Sequence, residues 1–156
     1  MTRSAVDWAA RREQAIQQIR RGIDGGRPSI VFGLQLPEFG IVYGYDTPLD
    51  SPGGAWWTRL LDAVGEEASE RWILGQFAFC WFAVVPEAQG SGVGAALYDA
   101  VMGQVATPHA WLVTHGDPSL ARGMYDRRGW FELARAELGW VPGERAVLGL
   151  DRSARP

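Results

Sequence analysis

The spacing of apolar residues switches along the chain between a helical and a strand-like period. In the first part, an N-terminal stretch with one apolar stripe ends at Gly25 and Gly26, which is typical of a helix end. Alternating apolar stretches follow, and a three-residue connection between them indicates a hairpin. The pattern predicts a helix, two strands and a short helix, over residues 4–26, 29–36, 40–46 and 55–68.

Residues 72–85, "WILGQFAFCWFAVV", are apolar at both even and odd positions. Phe77 and Phe79 occupy one parity, while Ala78 and Cys80 occupy the other. A strand with this pattern is covered on both faces, so these residues predict a central strand. A glycine-rich turn follows, and apolar residues spaced four apart predict a helix over residues 93–105.

The last part of the chain also alternates between strand-like and helix-like patterns. Asp117 is a good N-cap with Pro118 at the first helical position, so a helix is expected to run from there to Arg128. Strands are predicted before and after this helix, over residues 110–115, 130–138 and 145–151. The order of elements predicts a mixed α/β fold in a single domain, residues 1–156, with helices packed on a sheet.

Composition narrows the class of protein. The chain is 47% hydrophobic and carries a formal net charge of −3, so it is globular and lacks the basic surface typical of nucleic-acid binding. Its single cysteine excludes an internal disulfide and a cysteine-based metal site. No apolar run is long enough for a membrane span, and the N-terminus lacks an apolar signal core. We therefore expect a cytoplasmic protein, and the use of Arg without any Lys indicates a bacterial source with GC-rich coding.

The stretch "VVPEAQGSGVGAAL", residues 84–97, places three glycines within five positions between a strand and a helix. A nucleotide-binding P-loop needs a Lys, which this chain lacks. The dinucleotide pattern G-x-G-x-x-G/A fits Gly90 to Ala95, with Asp117 as a candidate ribose-binding carboxylate. Four residues separate the strand from the first glycine, however, and about forty residues after the next strand are too few for a doubly wound sheet.

The physical chemistry of this turn favours an anion. Backbone amides of residues 89–95 are expected to point into a concavity at a helix N-terminus, where the helix dipole adds positive potential. Glycines allow the backbone to approach the ligand because they have no Cβ. The turn is therefore a candidate site for a pyrophosphate group.

Two motifs carry a resemblance to a known family. Gln89, Gly92 and Gly94 match Q/R-x-x-G-x-G/A, which resembles the acyl-CoA signature of the GNAT superfamily of N-acetyltransferases. On the next helix, Ala121 and Tyr125, followed by Gly129 and Trp130, match a second family pattern. The resemblance implies a mixed, mostly antiparallel sheet flanked by helices, with splayed central strands and without the family's N-terminal strand. That shortened sheet favours a homodimer.

The resemblance also implies a reaction. It predicts transfer of an acetyl group from acetyl-CoA to the primary amine of a small molecule by direct attack. A protein amine as acceptor and a non-catalytic acyl-CoA-binding protein are the alternatives. The residues expected to bind acetyl-CoA lie at the end of the strand and in the turn: Val84, Gln89, Gly90, Ser91, Gly92, Val93, Gly94 and Ala95.

Candidate catalytic residues follow from the same resemblance. Tyr125 occupies the position of the family's usual acid, and a phenol is protonated at pH 7. Many relatives place a glutamate base where this chain has Trp81, so His115 is the first substitute, since an imidazole titrates near neutral pH. Asp46, Glu132 or a water chain are further options.

The acceptor is expected to meet an aromatic wall. Trp56 and Trp57 lie in the segment that lines the acceptor pocket in relatives, and Trp81 is expected nearby. Indole rings suit an apolar or cationic small molecule through buried area and cation–π contacts.

Overall fold

The computed structural model describes residues 29–30, 40–84, 86, 89–90, 92–139 and 142–153. The chain divides into two compact units, Met1–Tyr45 with Cys80–Ala106 and Asp46–Phe79 with Thr107–Pro156. The predicted N-terminal helix and hairpin connection lie outside the described residues. In chain order, the described elements are β1 (Ser29–Ile30), β2 (Gly40–Asp46), α1 (Ala55–Val64), α2 (Glu66–Trp72), β3 (Phe77–Val84), α3 (Val93–Met102), β4 (His109–His115), α4 (Leu120–Arg127), β5 (Phe131–Ala136) and β6 (Arg145–Asp151).

The first unit contains the β1–β2 pair, the end of β3, and α3. β1 and β2 are antiparallel, with Ser29 opposite Gly44. α3 buries Tyr98, Val101 and Met102, each at most 3% exposed. The predicted helix over residues 93–105 is therefore confirmed, although it ends at Met102, and Val105 is buried just beyond it.

The second unit contains a mixed sheet in the order β3-β4-β6-β5. β3 and β4 are parallel, with Phe77 opposite Ala110 and Ala78 opposite Trp111. β4 and β6 are antiparallel over seven pairs, and β5 is also antiparallel to β6. This arrangement confirms the predicted mixed, mostly antiparallel sheet.

The core of the second unit lies on both sides of β6. Residues 146–150 of this strand are all buried, which means that both faces are covered. Leu60 of α1 and Ile73, the C-cap of α2, are also fully buried. A bulge in β5 between Glu132 and Ala134 places Leu133 over Gly149, where a Cβ would lie 3.1 Å from the leucine Cδ1.

Three sequence predictions need correction. The helix expected over residues 55–68 is broken at Gly65, whose positive φ of 86° is outside the helical region. The strand expected from residue 72 starts at Phe77, because Trp72 ends α2. β3 was expected to be covered on both faces, and this holds for residues 77–79, but Cys80 and Ala83 are exposed.

The helix after β4 also starts later than predicted. Its N-cap is Ser119, whose hydroxyl oxygen accepts a hydrogen bond from the Arg122 amide at 3.1 Å. Asp117 and Pro118 lie before the cap and are exposed. Asp and Ser are both favourable caps, so residue type does not choose between them. The helix starts at the residue whose side chain accepts from an amide three positions later, which is Ser119.

Candidate functional site

The glycine turn begins with two hydrogen bonds from one residue. The Gln89 backbone N–H donates to the Pro86 carbonyl at 3.1 Å. The Gln89 side-chain Nε2 donates to the Val84 carbonyl at 3.0 Å. The side-chain bond ties the turn to Val84, the last residue of β3.

The glycines of this turn have different structural roles. Gly90 and Gly92 have positive φ angles of 77° and 84°, and Gly92 is the N-cap of α3. No described atom lies within 4 Å of a Cβ built on either of them. A Cβ on Gly94 would lie 3.3 Å from Val84 Cγ2 and 3.4 Å from Phe82 Cζ. Gly94 therefore allows α3 to pack on β3, whereas Gly90 and Gly92 shape the turn and leave space above it.

The helix start fits an anionic ligand. The Ala96 amide donates to the Gly92 carbonyl at 3.0 Å, so amides earlier in this first turn have no acceptor within the helix. The first turn carries no acidic side chain, so the positive end of the helix dipole is not neutralised there. A pyrophosphate group matches this combination of open space and amide donors. Ser91 and the Val93 side chain lie outside the described residues.

Tyr125 lies on α4 within an aromatic cluster of the second unit. Its side chain is 6% exposed. The ring meets Trp130 edge to face at 5.8 Å between centroids and Phe79 at 6.3 Å. The proposed acid is therefore packed among aromatic rings, and its catalytic role stays a prediction.

His115, the proposed base, lies at the exposed end of β4. Its Nδ1 is 2.9 Å from an Arg145 Nη1, and the antiparallel register places these residues opposite each other. Because a guanidinium can only donate, Nδ1 is the acceptor of this bond. The Arg145 contact therefore occupies the lone pair that a base needs, a feature that sequence reasoning missed because the two residues are thirty positions apart.

Glu132 is a poor alternative base. Its carboxylate binds Arg135 at 2.7 Å and Arg122 at 3.1 Å. Both guanidinium groups, Arg135 first, lower the pKa of Glu132 below its usual range. A carboxylate with a lowered pKa accepts a proton less readily. Asp46, the other candidate carboxylate, is exposed at the end of β2.

The predicted acceptor-lining tryptophans form part of an indole row. Trp56 and Trp57 lie at the start of α1, are half-buried, and meet edge to face at 5.1 Å. Trp57 meets the buried Trp111 at 5.7 Å, and the Trp111 indole N–H donates to Thr47 Oγ1 at 2.9 Å. The side chain of Trp81, which was grouped with them, lies outside the described residues.

Two features are absent from the described part of the chain. No group of three or more His, Cys, Asp or Glu side chains there is arranged to hold a metal ion. No helix of that part has the length and hydropathy needed to cross a membrane.

Comparison with known proteins finds similarity in three-dimensional structure and no match by sequence. No protein-family model matches the chain, and no curated protein matches it. Ard1 from Thermoplasma volcanium superposes with a TM-score of 0.50 at 14% identity, covering 88% of this chain and 91% of that one.

A structure from Desulfovibrio desulfuricans that is assigned to the GNAT family of acetyltransferases also superposes. Its TM-score is 0.47 at 19% identity. The match covers 72% of this chain and 60% of that one, which is less than two thirds of its length. At 14% identity, the likeness to Ard1 concerns the fold alone.

Proposed function

Because the chain has the fold of the GNAT acyltransferases, we propose that it is an N-acetyltransferase with acetyl-CoA as its acyl donor. Fold alone does not select a reaction, so the proposal depends on the site. The observation that carries it is the glycine turn. There, Gly90 and Gly92 leave open space before a helix whose first turn has no acidic side chain.

In this proposal the turn binds the donor through its backbone. Amides between Gly90 and Ala95 donate to the pyrophosphate oxygens, while the Gln89 amide stays on the Pro86 carbonyl, and the backbone near Val84 hydrogen-bonds the thioester carbonyl. The bound donor supplies an acetyl group activated as a thioester. The open space over Gly90 and Gly92 supports this assignment, since a side chain at either position would stand between the amides and the phosphates.

Proton transfer is assigned to two side chains of the second unit. An acceptor amine with a pKa of about 10 is almost fully protonated at pH 7, so it must lose a proton before it attacks. His115 is the proposed base, and its Nδ1 can take a proton only after the Arg145 contact opens. The Tyr125 hydroxyl is the proposed donor of a proton to the departing sulfur.

The proposed acceptor is a primary amine of a small molecule. The half-buried Trp56 and Trp57 support it, because indole faces attract apolar and cationic groups. A protein amine is the alternative acceptor for the same chemistry.

A second candidate function is that of a non-catalytic acyl-CoA-binding protein. Two observations favour it. Arg145 occupies the His115 lone pair, and Tyr125 is only 6% exposed within its aromatic cluster. This candidate shares the donor site with the enzyme and differs only in lacking turnover.

The donor site is tested by titration calorimetry with acetyl-CoA, CoA and NAD. We expect saturable binding of both CoA species and none of NAD. Gly92→Glu should abolish binding, because it places a carboxylate among the amide donors. Gly53→Glu is the matched control, since Gly53 has a similar φ of 78° and equally open surroundings. Failure of the parent protein to bind either CoA species would remove the proposal.

Tyr125→Phe separates the two candidate functions. With an amine panel, the enzyme proposal predicts turnover by the parent and at least a tenfold loss in the variant, with acetyl-CoA binding intact. Binding without turnover by the parent against the whole panel would favour the binding protein.

A further inference from the structure

We infer that Gln89 is a positioning residue, which holds the phosphate-binding turn in its binding shape before the ligand arrives. This inference rests on the proposed function, because it concerns the same turn. It assigns the Gln89 side chain to the Val84 carbonyl rather than to the ligand.

The geometry joins the strand end, the turn and the helix start. Gln89 holds the Val84 carbonyl with its side chain and the Pro86 carbonyl with its backbone amide. On its other side, Val84 packs against the Gly94 backbone, since only 3.3 Å separates Val84 Cγ2 from a Cβ built on Gly94. Val84 is therefore contacted through both its carbonyl and its side chain, by residues on either side of Gly90 and Gly92 in the sequence.

A neutral carboxamide acts in this arrangement through orientation rather than charge. Amide donors bind an anion well only when they converge on it, and a turn that is ordered in advance loses less entropy on binding. The bond is between neutral partners and is exposed, so its removal has a modest effect. We expect a two- to tenfold loss of affinity, confined to ligands that carry the pyrophosphate.

The test compares two ligands and four proteins. Acetyl-CoA carries the pyrophosphate, whereas S-acetylpantetheine has the thioester arm without it. Gln89→Met removes the donor at nearly constant length, and Gln89→Asn keeps the amide but shortens its reach. Gln104→Met is the matched control, because Gln104 lies after α3 in the same unit.

We expect both Gln89 variants to bind acetyl-CoA two- to tenfold more weakly than the parent protein and Gln104→Met. Binding of S-acetylpantetheine should be equal in all four proteins. Unchanged acetyl-CoA affinity in either Gln89 variant would overturn the inference while leaving the proposed function intact. Equal losses for both ligands would overturn it too, since they indicate general disruption. A parent protein that binds no acetyl-CoA would instead refute the proposed function.

A measurement without ligand tests the same idea. Backbone ¹⁵N order parameters of Gly90 and Gly92 report motion on the picosecond to nanosecond scale. They should fall in Gln89→Met and stay at the parent value in Gln104→Met. Equal order parameters in the parent and Gln89→Met would show that the side-chain bond does not order the turn.

Discussion

At the scale of single residues, one hydrogen bond can decide what a side chain does. His115 has the residue type of a base, but the Arg145 guanidinium occupies its Nδ1. Glu132 is also a residue type that can act as a general base, yet two arginines stabilise its ionised form. The His115–Arg145 contact joins residues thirty positions apart and the Glu132–Arg122 contact residues ten positions apart, so residue type alone cannot reveal them.

Thr47 and Trp111 form another such pair, and both are buried at 3% exposure. Thr47→Val should keep the shape of the side chain while leaving the Trp111 indole N–H without its acceptor. We expect the free energy of unfolding to fall by about 1–3 kcal/mol, measured by urea denaturation. Thr58→Val is the control, because the Thr58 hydroxyl bond to Gly54 is exposed. Equal effects of the two substitutions would contradict the prediction.

At the scale of elements, sequence periodicity predicted which helices and strands exist better than it predicted where they begin and end. The glycine turn and α3 were predicted because their signals are contiguous in sequence, and β6 was predicted with its observed bounds, Arg145–Asp151. The break at Gly65 was missed because the apolar stripe continues across it. The parallel pairing of β3 with β4 depends on tertiary packing, which a local pattern does not contain.

The start of α4 offers a test at this scale. Ser119→Ala removes the side-chain acceptor of the Arg122 amide and should lower the free energy of unfolding by about 1 kcal/mol. Asp117→Ala, which changes the residue that sequence predicted as the cap, should have an effect below about 0.5 kcal/mol. Thermal or urea unfolding of the two variants measures the difference. A larger effect of Asp117→Ala than of Ser119→Ala would indicate that Asp117 caps the helix, as the sequence predicted.

At the scale of the whole molecule, an exposed ionic network connects separate elements of the second unit. Arg122 on α4 binds Asp126 and Glu132, and Arg135 on β5 binds Glu132 and Glu144. The network also reaches the backbone, because Arg135 Nη1 donates to the Gly116 carbonyl at 3.0 Å. Stability of the molecule should therefore depend on pH through these carboxylates.

The direction of this pH dependence follows from the lowered pKa of Glu132. A carboxyl with a lower pKa in the folded state stabilises the fold above its unfolded pKa. That contribution is lost as the pH falls through the folded pKa. Glu132→Gln should therefore flatten the acid side of a stability–pH profile from urea denaturation, and the exposed Glu137→Gln should not. An unchanged acid limb in Glu132→Gln would contradict this prediction.

The row of Trp56, Trp57 and Trp111 has a spectroscopic consequence. Neighbouring rings in the row are 5.1 and 5.7 Å apart and strongly inclined to each other, at 87° and 68°. Indoles this close and inclined couple their electronic transitions, so the row should give an exciton signal in circular dichroism. That signal depends on side-chain packing rather than on helix content. Its loss during heating would therefore report the melting of this packing separately from the backbone.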